Sequence, residues 1–226
     1  KKEELQKIID TGFFFREILD RPIKKVPALS GINIVNLFFE NSTRTKLSFE
    51  LAEKRLSADI TNFSASSSSL KKGEGLKDTI QNICSMKMDA IVMRHPIPGS
   101  PIQLTKYVDS VVINAGDGKH GHPTQAMLDM MSLHEKFGYL KDLKVAIIGD
   151  ILHSRVALSN IFGLIKMGAH VTLCGPPHLI PVEIKKLGVE INYNIDEVIE
   201  WADALNILRI QRERMGLGLI PSIREY

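Results

Sequence analysis

Residues 32–56 read INIVNLFFENSTRTKLSFELAEKRL, and this stretch decides the fold. Its first part, Ile32–Phe39, is apolar except for Asn33 and Asn36, as is typical of a buried strand. The leucines that follow recur at helical spacing and predict a helix over Thr45–Leu56. A strand, a short polar turn and a helix in this order are the start of a βαβ unit.

The same alternation continues on both sides of this stretch. A helix is predicted over about residues 3–19, closed by Pro22 and Pro27. The further predicted strands are Asp59–Phe63, Ala90–Met93, Ser110–Asn114, Lys144–Ile148, Ala169–Leu173, Val189–Tyr193 and Ala204–Leu208. The further predicted helices are Leu76–Met88, Gln103–Tyr107, Thr124–Phe137, Ser154–Lys166, Pro181–Leu187 and Asp196–Trp201.

Strands that alternate with helices of this length form parallel sheets. We therefore expect an α/β protein with two doubly wound parallel-sheet domains joined by a helix. The alternation restarts after the joining helix, which ends near Gly138. The sequence thus predicts a first domain over residues 1–137 and a second over residues 138–226.

Composition excludes several classes of protein. The 226 residues carry a net charge of +3, and the basic residues are spread along the chain, so nucleic acid is not an expected partner. No apolar run approaches the roughly 18 residues of a membrane span, and the first residues do not resemble a signal peptide. Cys84 and Cys174 stand alone in apolar surroundings, as buried thiols of a reducing compartment do. We therefore expect a cytoplasmic protein that does not contact a membrane.

The turn Ser42-Thr43-Arg44-Thr45 lies where a predicted strand ends and a helix begins. The first turn of a helix presents unpaired N–H groups and the positive end of the helix dipole, and both favour an anion. Arg44 opposes the dipole unless an anion is bound, and its guanidinium offers a fork of donors to a phosphate. The alternative is that Ser42 or Thr43 only caps the helix. The residues alone leave both interpretations open.

A run of serines, Ser64–Ser69 with one alanine, is followed at once by Lys71 and Lys72. Such a run is usually a solvated linker. A flexible loop that carries two lysines could also close over an anion. Composition leaves both interpretations open here as well.

Two further patterns suggest other chemistry. Gly116–Gly121 reads G-x-G-x-x-G after a predicted strand, as in dinucleotide sites. However, His122 and Pro123 intervene before the helix, and the next strand ends too late to supply the expected acidic residue. His120 and His122 have no third metal ligand at a suitable spacing. A Rossmann-like dinucleotide-binding protein is therefore only the third hypothesis, and no metal is expected.

A series of motifs, in one order along almost the whole chain, resembles the aspartate/ornithine carbamoyltransferase family. Each follows a predicted strand, at the edge where open α/β sheets bind ligands. The motifs are Ser42-Thr43-Arg44-Thr45, Lys71-Lys72-Gly73-Glu74, Met93-Arg94-His95-Pro96, Asn114-Ala115-Gly116-Asp117-Gly118, His122-Pro123-Thr124-Gln125, the region from Gly149-Asp150 to Arg155, and Arg209-Ile210-Gln211-Arg212-Glu213-Arg214.

The resemblance implies an enzyme that transfers the carbamoyl group of carbamoyl phosphate to an amine without any cofactor or metal. It implies that Thr45, Arg94 and His122 surround the carbonyl oxygen and that Gln125 accepts from the carbamoyl amide. The implied carbamoyl-phosphate-binding set is Ser42, Thr43, Arg44, Thr45, Arg94, His122, Gln125 and, from the neighbouring subunit, Ser69, chosen over Ser68. The implied catalytic residues are Arg44, Thr45, Lys72, Arg94 and His122.

The expected acceptor is L-aspartate, because two carboxylates require a cationic pocket. Arg155, Arg209 and Gln211 resemble the family's aspartate-binding set, with Lys72 from the neighbouring subunit. The acidic Asp-x-x-x-Ser-Met-Gly motif of the ornithine branch is absent from the region where it would fall. The implied products are N-carbamoyl-L-aspartate and phosphate, in de novo pyrimidine biosynthesis. A different acceptor such as ornithine is the second hypothesis, and a homologue that only binds partners is the fourth.

The resemblance also implies a homotrimer with active sites shared between chains, since the family's lysine-bearing loop reaches the neighbouring subunit. It leaves open whether a regulatory chain joins the assembly. Family members continue with a His-Pro-Leu-Pro-like segment and a final helix, so the chain is expected to be C-terminally incomplete.

Overall fold

The computed structural model describes residues 1–64, 80, 82, 83 and 85–210. The strands are β1 (Asn33–Phe38), β2 (Asp59–Ser64), β3 (Ala90–His95), β4 (Val111–Asp117), β5 (Lys144–Ile148), β6 (His170–Cys174), β7 (Glu190–Ile191) and β8 (Ala204–Ile207). The α-helices are α1 (Lys2–Arg16), α2 (Thr43–Arg55), α3 (Ser100–Leu104), α4 (Pro123–Phe137), α5 (Arg155–Met167) and α6 (Ile195–Trp201). Short 3₁₀ helices cover Glu17–Asp20, Pro177–Leu179 and Val182–Leu187.

The chain divides into two compact units, and the first is Phe13–Thr124. Its four strands are all parallel and lie in the order β2-β1-β3-β4. Successive side chains of a strand point to opposite faces of the sheet, so a sheet covered on both faces has strands that are apolar throughout. The two faces bury separate clusters, one with Val35, Leu37, Ile91 and Met93, the other with Ile34, Phe38, Val92 and Ala115.

The second unit combines Lys1–Gly12 with the chain from Gln125 onward. Its parallel sheet has the order β7-β6-β5-β8. The central strands are buried on both faces, and on one of them Ala146 and Cys174 pack with Val198 of α6. Helix α5 comes close to α4 at Gly163, where a Cβ would lie 2.7 Å from the Met130 methyl carbon.

The predicted α/β fold with two parallel sheets is confirmed, and each predicted strand matches an observed one. The observed division falls between Thr124 and Gln125, so almost all of α4 belongs to the second unit. The predicted boundary after Phe137 assigns that helix to the first domain. The helix predicted over Leu76–Met88 lies mostly outside the described residues, which are helical at 80, 82, 83 and 85.

Two short helices differ from prediction for local reasons. Helix α3 begins earlier than the predicted Gln103, because Gly99 turns the chain at φ +80° and Pro101 suits a first helical turn. The predicted helix over Pro181–Leu187 is a 3₁₀ helix, since only six residues separate Pro181 from Gly188 at φ +84°. No helix of the described residues combines the length and the apolar character that crossing a membrane requires.

Candidate functional site

The order of the first sheet identifies where a ligand would bind. From β1 the chain moves to one side to form β2 and to the other to form β3. Open α/β sheets bind ligands at such a reversal, beyond the carboxyl ends of the strands. Here β1 leads into the Ser42–Thr45 turn, and Arg94 lies at the end of β3. Both predicted motifs therefore meet the same crevice.

The start of α2 is arranged to receive an anion. Ser42 is the N-cap residue with φ −160°, but among the described residues its hydroxyl makes no capping hydrogen bond. The first turn holds no acidic residue, and Arg44 is exposed there. The first-turn N–H groups and the guanidinium can therefore converge on one anionic group. The simpler interpretation, in which the Ser42 side chain caps the helix, does not describe this structure.

Arg94 connects three parts of this crevice. Its side chain is only 9% exposed and its Nη2 donates to Glu40 Oε1 at 3.0 Å. Nη1 donates to the Ala115 carbonyl at 3.2 Å and approaches Thr45 Oγ1 at 3.4 Å. A guanidinium fixed on several sides is preorganised to polarise a carbonyl oxygen or to stabilise an oxyanion.

The residue after Arg94 is a histidine in surroundings that favour its uncharged form. His95 is buried, and its Nδ1 accepts from the Ile97 backbone N–H at 3.1 Å. Burial lowers the pKa of His95, against the raising effects of the Ile97 contact and of the Glu40 charge. The ring packs edge-on against Phe39, with centroids 5.1 Å apart. The surroundings of His95 thus disfavour a second positive charge beside Arg94.

His122 lies immediately before α4 and is 8% exposed. Its Nδ1 is 3.4 Å from Thr124 Oγ1. Pro123 occupies the first helical position, for which its fixed φ is suited. The position of His122 is thus fixed by the start of α4 and by its contact with Thr124.

In the second unit, Gln125 is oriented by a chain of hydrogen bonds. Its Nε2 donates to Asp129 Oδ1 at 2.8 Å, and Asp129 Oδ2 accepts from Asn160 at 2.7 Å. The amide nitrogen is therefore engaged by Asp129, and the carbonyl oxygen is the end of the side chain that remains to accept from a ligand.

In the second sheet the chain adds β6 and β7 on one side of β5 and then β8 on the other side, so the strand order reverses between the parallel strands β5 and β8. The predicted acceptor arginines follow these two neighbouring strands: Arg155 is the first residue of α5, and Arg209 comes two residues after β8. Arg155 is 3% exposed, whereas Arg209 is exposed. Leu208 N–H donates to the Ile148 carbonyl at 2.8 Å, which continues the pairing of β5 and β8 toward Arg209.

The structure thus brings some of the predicted site residues together, while others lie outside the described residues. Thr45 and Arg94 are in contact, and Ser42, Thr43 and Arg44 share one turn. Ser69, Lys72 and Gln211 lie outside the described residues. Sequence reasoning missed Glu40 as the ion-pair partner of Arg94, although it lies two residues before Ser42. In the described residues, no group of three or more His, Cys, Asp or Glu side chains is placed to hold a metal ion.

The chain is similar to known proteins over almost its whole length. The sequence model of the family described as "Aspartate/ornithine carbamoyltransferase, carbamoyl-P binding domain" matches residues 1–135. The aspartate carbamoyltransferase catalytic subunit of Christiangramia forsetii is 60% identical over 226 residues, which is 100% of this chain and 73% of that protein. The catalytic subunit from Moorella thermoacetica is 53% identical over 224 residues, 99% of this chain and 73% of that protein.

Solved structures show the same fold. Aspartate transcarbamoylase from Trypanosoma cruzi, crystallised with carbamoyl aspartate and phosphate, superposes with a TM-score of 0.86 at 32% identity. The match covers 96% of this chain and 74% of that one. The catalytic subunit of M. Jannaschii aspartate transcarbamoylase gives a TM-score of 0.83 at 34% identity, over 100% of this chain and 74% of that one.

Proposed function

Since the chain belongs to the aspartate/ornithine carbamoyltransferase family, we propose that it transfers the carbamoyl group of carbamoyl phosphate to the α-amine of L-aspartate. The products are N-carbamoyl-L-aspartate and phosphate, and the reaction serves de novo pyrimidine biosynthesis. The observation that carries the proposal is the clamped Arg94 guanidinium beside the uncapped start of α2.

The start of α2 is the proposed phosphate site. Carbamoyl phosphate carries a dianionic phosphate, and Ser42, Thr43 and Arg44 offer hydroxyl, N–H and guanidinium donors in one turn. Binding the phosphate there stabilises both the substrate and the leaving group. Ser69 of a neighbouring subunit completes the set in this proposal.

The carbonyl end of the substrate meets the second set of groups. Attack by the neutral α-amine makes the carbonyl carbon tetrahedral and puts negative charge on its oxygen. Expulsion of phosphate then breaks the bond from carbon to the phosphate oxygen and restores the carbonyl, and the proton lost by the attacking nitrogen leaves with the phosphate. Arg94, Thr45 and His122 are proposed to stabilise that oxygen, and Gln125 to accept from the carbamoyl amide. Because the Arg94 guanidinium is already fixed, little reorganisation accompanies the development of charge.

Aspartate as the acceptor is supported by the arginines that follow β5 and β8 and by relatives named aspartate carbamoyltransferase catalytic subunit. Arg155 and Arg209 supply positive charge for its two carboxylates, together with Gln211 and a neighbouring subunit's Lys72. A pocket of this charge repels the side-chain ammonium of ornithine.

The assembly is part of the same proposal. We infer a cytoplasmic homotrimer in which Ser69 and Lys72 of one chain serve the site of the next. The relatives are named catalytic subunits, which supports a further association with a regulatory chain.

The direct test measures product formation by the full-length protein from carbamoyl phosphate with L-aspartate and, separately, with L-ornithine. We expect a ureido product and stoichiometric phosphate with aspartate alone. Faster turnover with ornithine would contradict the proposed acceptor, and absence of turnover with either would contradict the enzyme itself.

A second arm of the experiment separates the two substrates. Arg209→Ala should raise the KM for aspartate by about tenfold or more, as expected on losing a charge-assisted hydrogen bond, and should change the KM for carbamoyl phosphate little. Arg21→Ala, at an exposed position in the other unit, is the matched control. Equal effects on both KM values would assign Arg209 a structural role instead.

A further inference from the structure

The pairing of β3 with β4 contains a β-bulge beside Arg94. Met93 lies opposite Asn114, and His95 lies opposite Asp117. One residue of β3 therefore faces the two residues Ala115 and Gly116, and Gly116 takes the left-handed φ of +117°. A bulge leaves backbone groups without their ladder partners, and such bulges often re-aim a side chain at a functional site.

Asn114 supplies one of the missing partners. Its Oδ1 accepts from the Gly116 N–H at 2.7 Å, and its Nδ2 donates to Asp117 Oδ1 at 3.0 Å. The neighbouring Ala115 carbonyl is the group that accepts from Arg94 Nη1 at 3.2 Å. The Ala115 carbonyl in the bulge thus binds the Arg94 guanidinium and is not left without a partner.

Asp117 ties this bulge to the surrounding loops and is completely buried. Its Oδ2 accepts from the Gly99 N–H at 2.8 Å and from His120 Nδ1 at 2.9 Å. Its backbone N–H donates to the Gly121 carbonyl at 3.0 Å, one residue before His122. One side chain and its own backbone therefore connect the loop after β3, the end of β4 and the turn that leads to His122.

We propose that Asn114 and Asp117 are positioning residues for the carbamoyl transfer: together they hold the bulge that aims Arg94 and the turn that places His122. This inference rests on the proposed function of the two aimed side chains. Neither Asn114 nor Asp117 is assigned a contact with substrate. Their contribution is geometric, because a displacement of about 1 Å in a catalytic group can cost on the order of 10² in rate.

The hydrogen bonds have a direction, and this allows an exchange experiment. In Asp117→Asn, the one remaining oxygen can accept from Asn114 Nδ2 or from the Gly99 N–H but not from both, so two donors face each other at one of these contacts. In Asn114→Asp, two acceptors face each other at Asp117. The double variant Asn114→Asp/Asp117→Asn restores one donor and one acceptor, still accepts from the Gly116 and Gly99 N–H groups, and keeps the same net charge.

We expect each single variant to lower kcat by about 10- to 100-fold and the exchange variant to recover to within about fivefold of wild type. The number of intact sites is counted for every variant from the stoichiometry of N-(phosphonacetyl)-L-aspartate binding, and kcat is expressed per counted site. A role in folding alone would lower the number of sites and leave kcat per site unchanged. Asp109→Asn makes the same chemical change at an exposed position and is the matched control.

Single variants that keep kcat per site within about threefold of wild type overturn the proposal. So does an exchange variant that is inactive or does not fold, because the geometry predicts that every bond is remade. If neither single variant folds, Asn114 and Asp117 serve folding alone, and the proposal is overturned even if the exchange variant recovers. Failure of the proposed function is distinguished by the wild-type protein, which would then show no carbamoyl transfer to aspartate.

Discussion

At the scale of single residues, Arg94 makes the most exacting set of contacts in the candidate site. A lysine would keep the charge, but it could not reach Glu40, Thr45 and the Ala115 carbonyl from one rigid plane. We expect both Arg94→Ala and Arg94→Lys to lower kcat by about 10²–10³, the usual effect of losing one oxyanion donor. Steady-state kinetics test this, with Arg21→Ala as the control. A lysine variant with near wild-type kcat would show that charge alone suffices.

Glu53 is a residue whose effect depends on pH. It is 4% exposed, its Oε2 accepts from Asn36 Nδ2 at 2.8 Å, and Oε1 has no partner in the part of the chain that the structure describes. Burial raises the pKa of Glu53 above its ordinary 4.5, against the lowering effect of the Asn36 hydrogen bond. A raised pKa means that the stability contributed by this group is present at low pH and is lost as pH rises through the folded-state pKa.

Glu53→Gln should therefore stabilise the protein at neutral pH by about 1 kcal/mol, with a gain that shrinks as the pH falls toward 4.5. The new amide can also donate to Asn36 Oδ1, which lacks a partner among the described residues. Thermal unfolding at about pH 5 and about pH 8 measures the difference. Glu50→Gln on the same helix is the control, since Lys54 lowers the pKa of Glu50 and no gain is expected there. An equal gain at both pH values would contradict the titration argument.

At the scale of elements, the turn between β4 and α4 depends on the glycine at position 118. Gly118 has φ +50°, and a Cβ there would lie 2.6 Å from the Pro96 carbonyl oxygen and from the Pro98 ring. Gly138, after α4, has φ +81°, and no atom of the described residues lies within 4 Å of a Cβ there. Gly138→Ala should cost about 1 kcal/mol of backbone strain and leave kcat unchanged. Gly118→Ala should lower the thermal midpoint further and reduce kcat, because this turn leads to His122. Equal effects of the two substitutions would show that the contact with Pro96 is not a constraint.

The elements also show how far the sequence alone could lead. The apolar runs predicted the strands, because a parallel sheet covered on both faces needs them whatever the ligand. The Ser42–Thr45 turn could be proposed as an anion site because its candidate ligands are adjacent in the chain, and this assignment stays a prediction. The roles of Asn114 and Asp117 could not be predicted, since they arise from the pairing offset between β3 and β4. The role of Glu40 could not be predicted either, because its partner Arg94 is 54 residues away in the chain.

At the scale of the whole molecule, the proposed trimer makes a complementation test possible. Arg44 and Lys72 serve the same site from different chains in this proposal, so Arg44→Ala alone and Lys72→Ala alone should each be nearly inactive. Mixed trimers should regain activity, because some sites combine an intact Arg44 with an intact Lys72 from the next chain. Activity after dissociating, mixing and reassociating the two variants measures this, with mixed trimers verified by native mass spectrometry. Mixed trimers without activity would indicate that both residues serve a site within one chain.

The thiol of Cys174 offers a way to watch the second unit open. It ends β6 at 3% exposure among Ala146 and Val198, and burial raises its pKa. An alkylating reagent attacks the thiolate, so Cys174 is shielded twice, by access and by protonation. The labelling rate of Cys174 should then equal the rate for an exposed thiol multiplied by the fraction of molecules in which this sheet is locally unfolded. Peptide mass spectrometry measures that rate separately from the rate for Cys84. A ligand that binds only the folded sheet lowers the fraction of open molecules, so bound N-(phosphonacetyl)-L-aspartate should slow the labelling of Cys174. The labelling rate therefore measures the free energy of local opening.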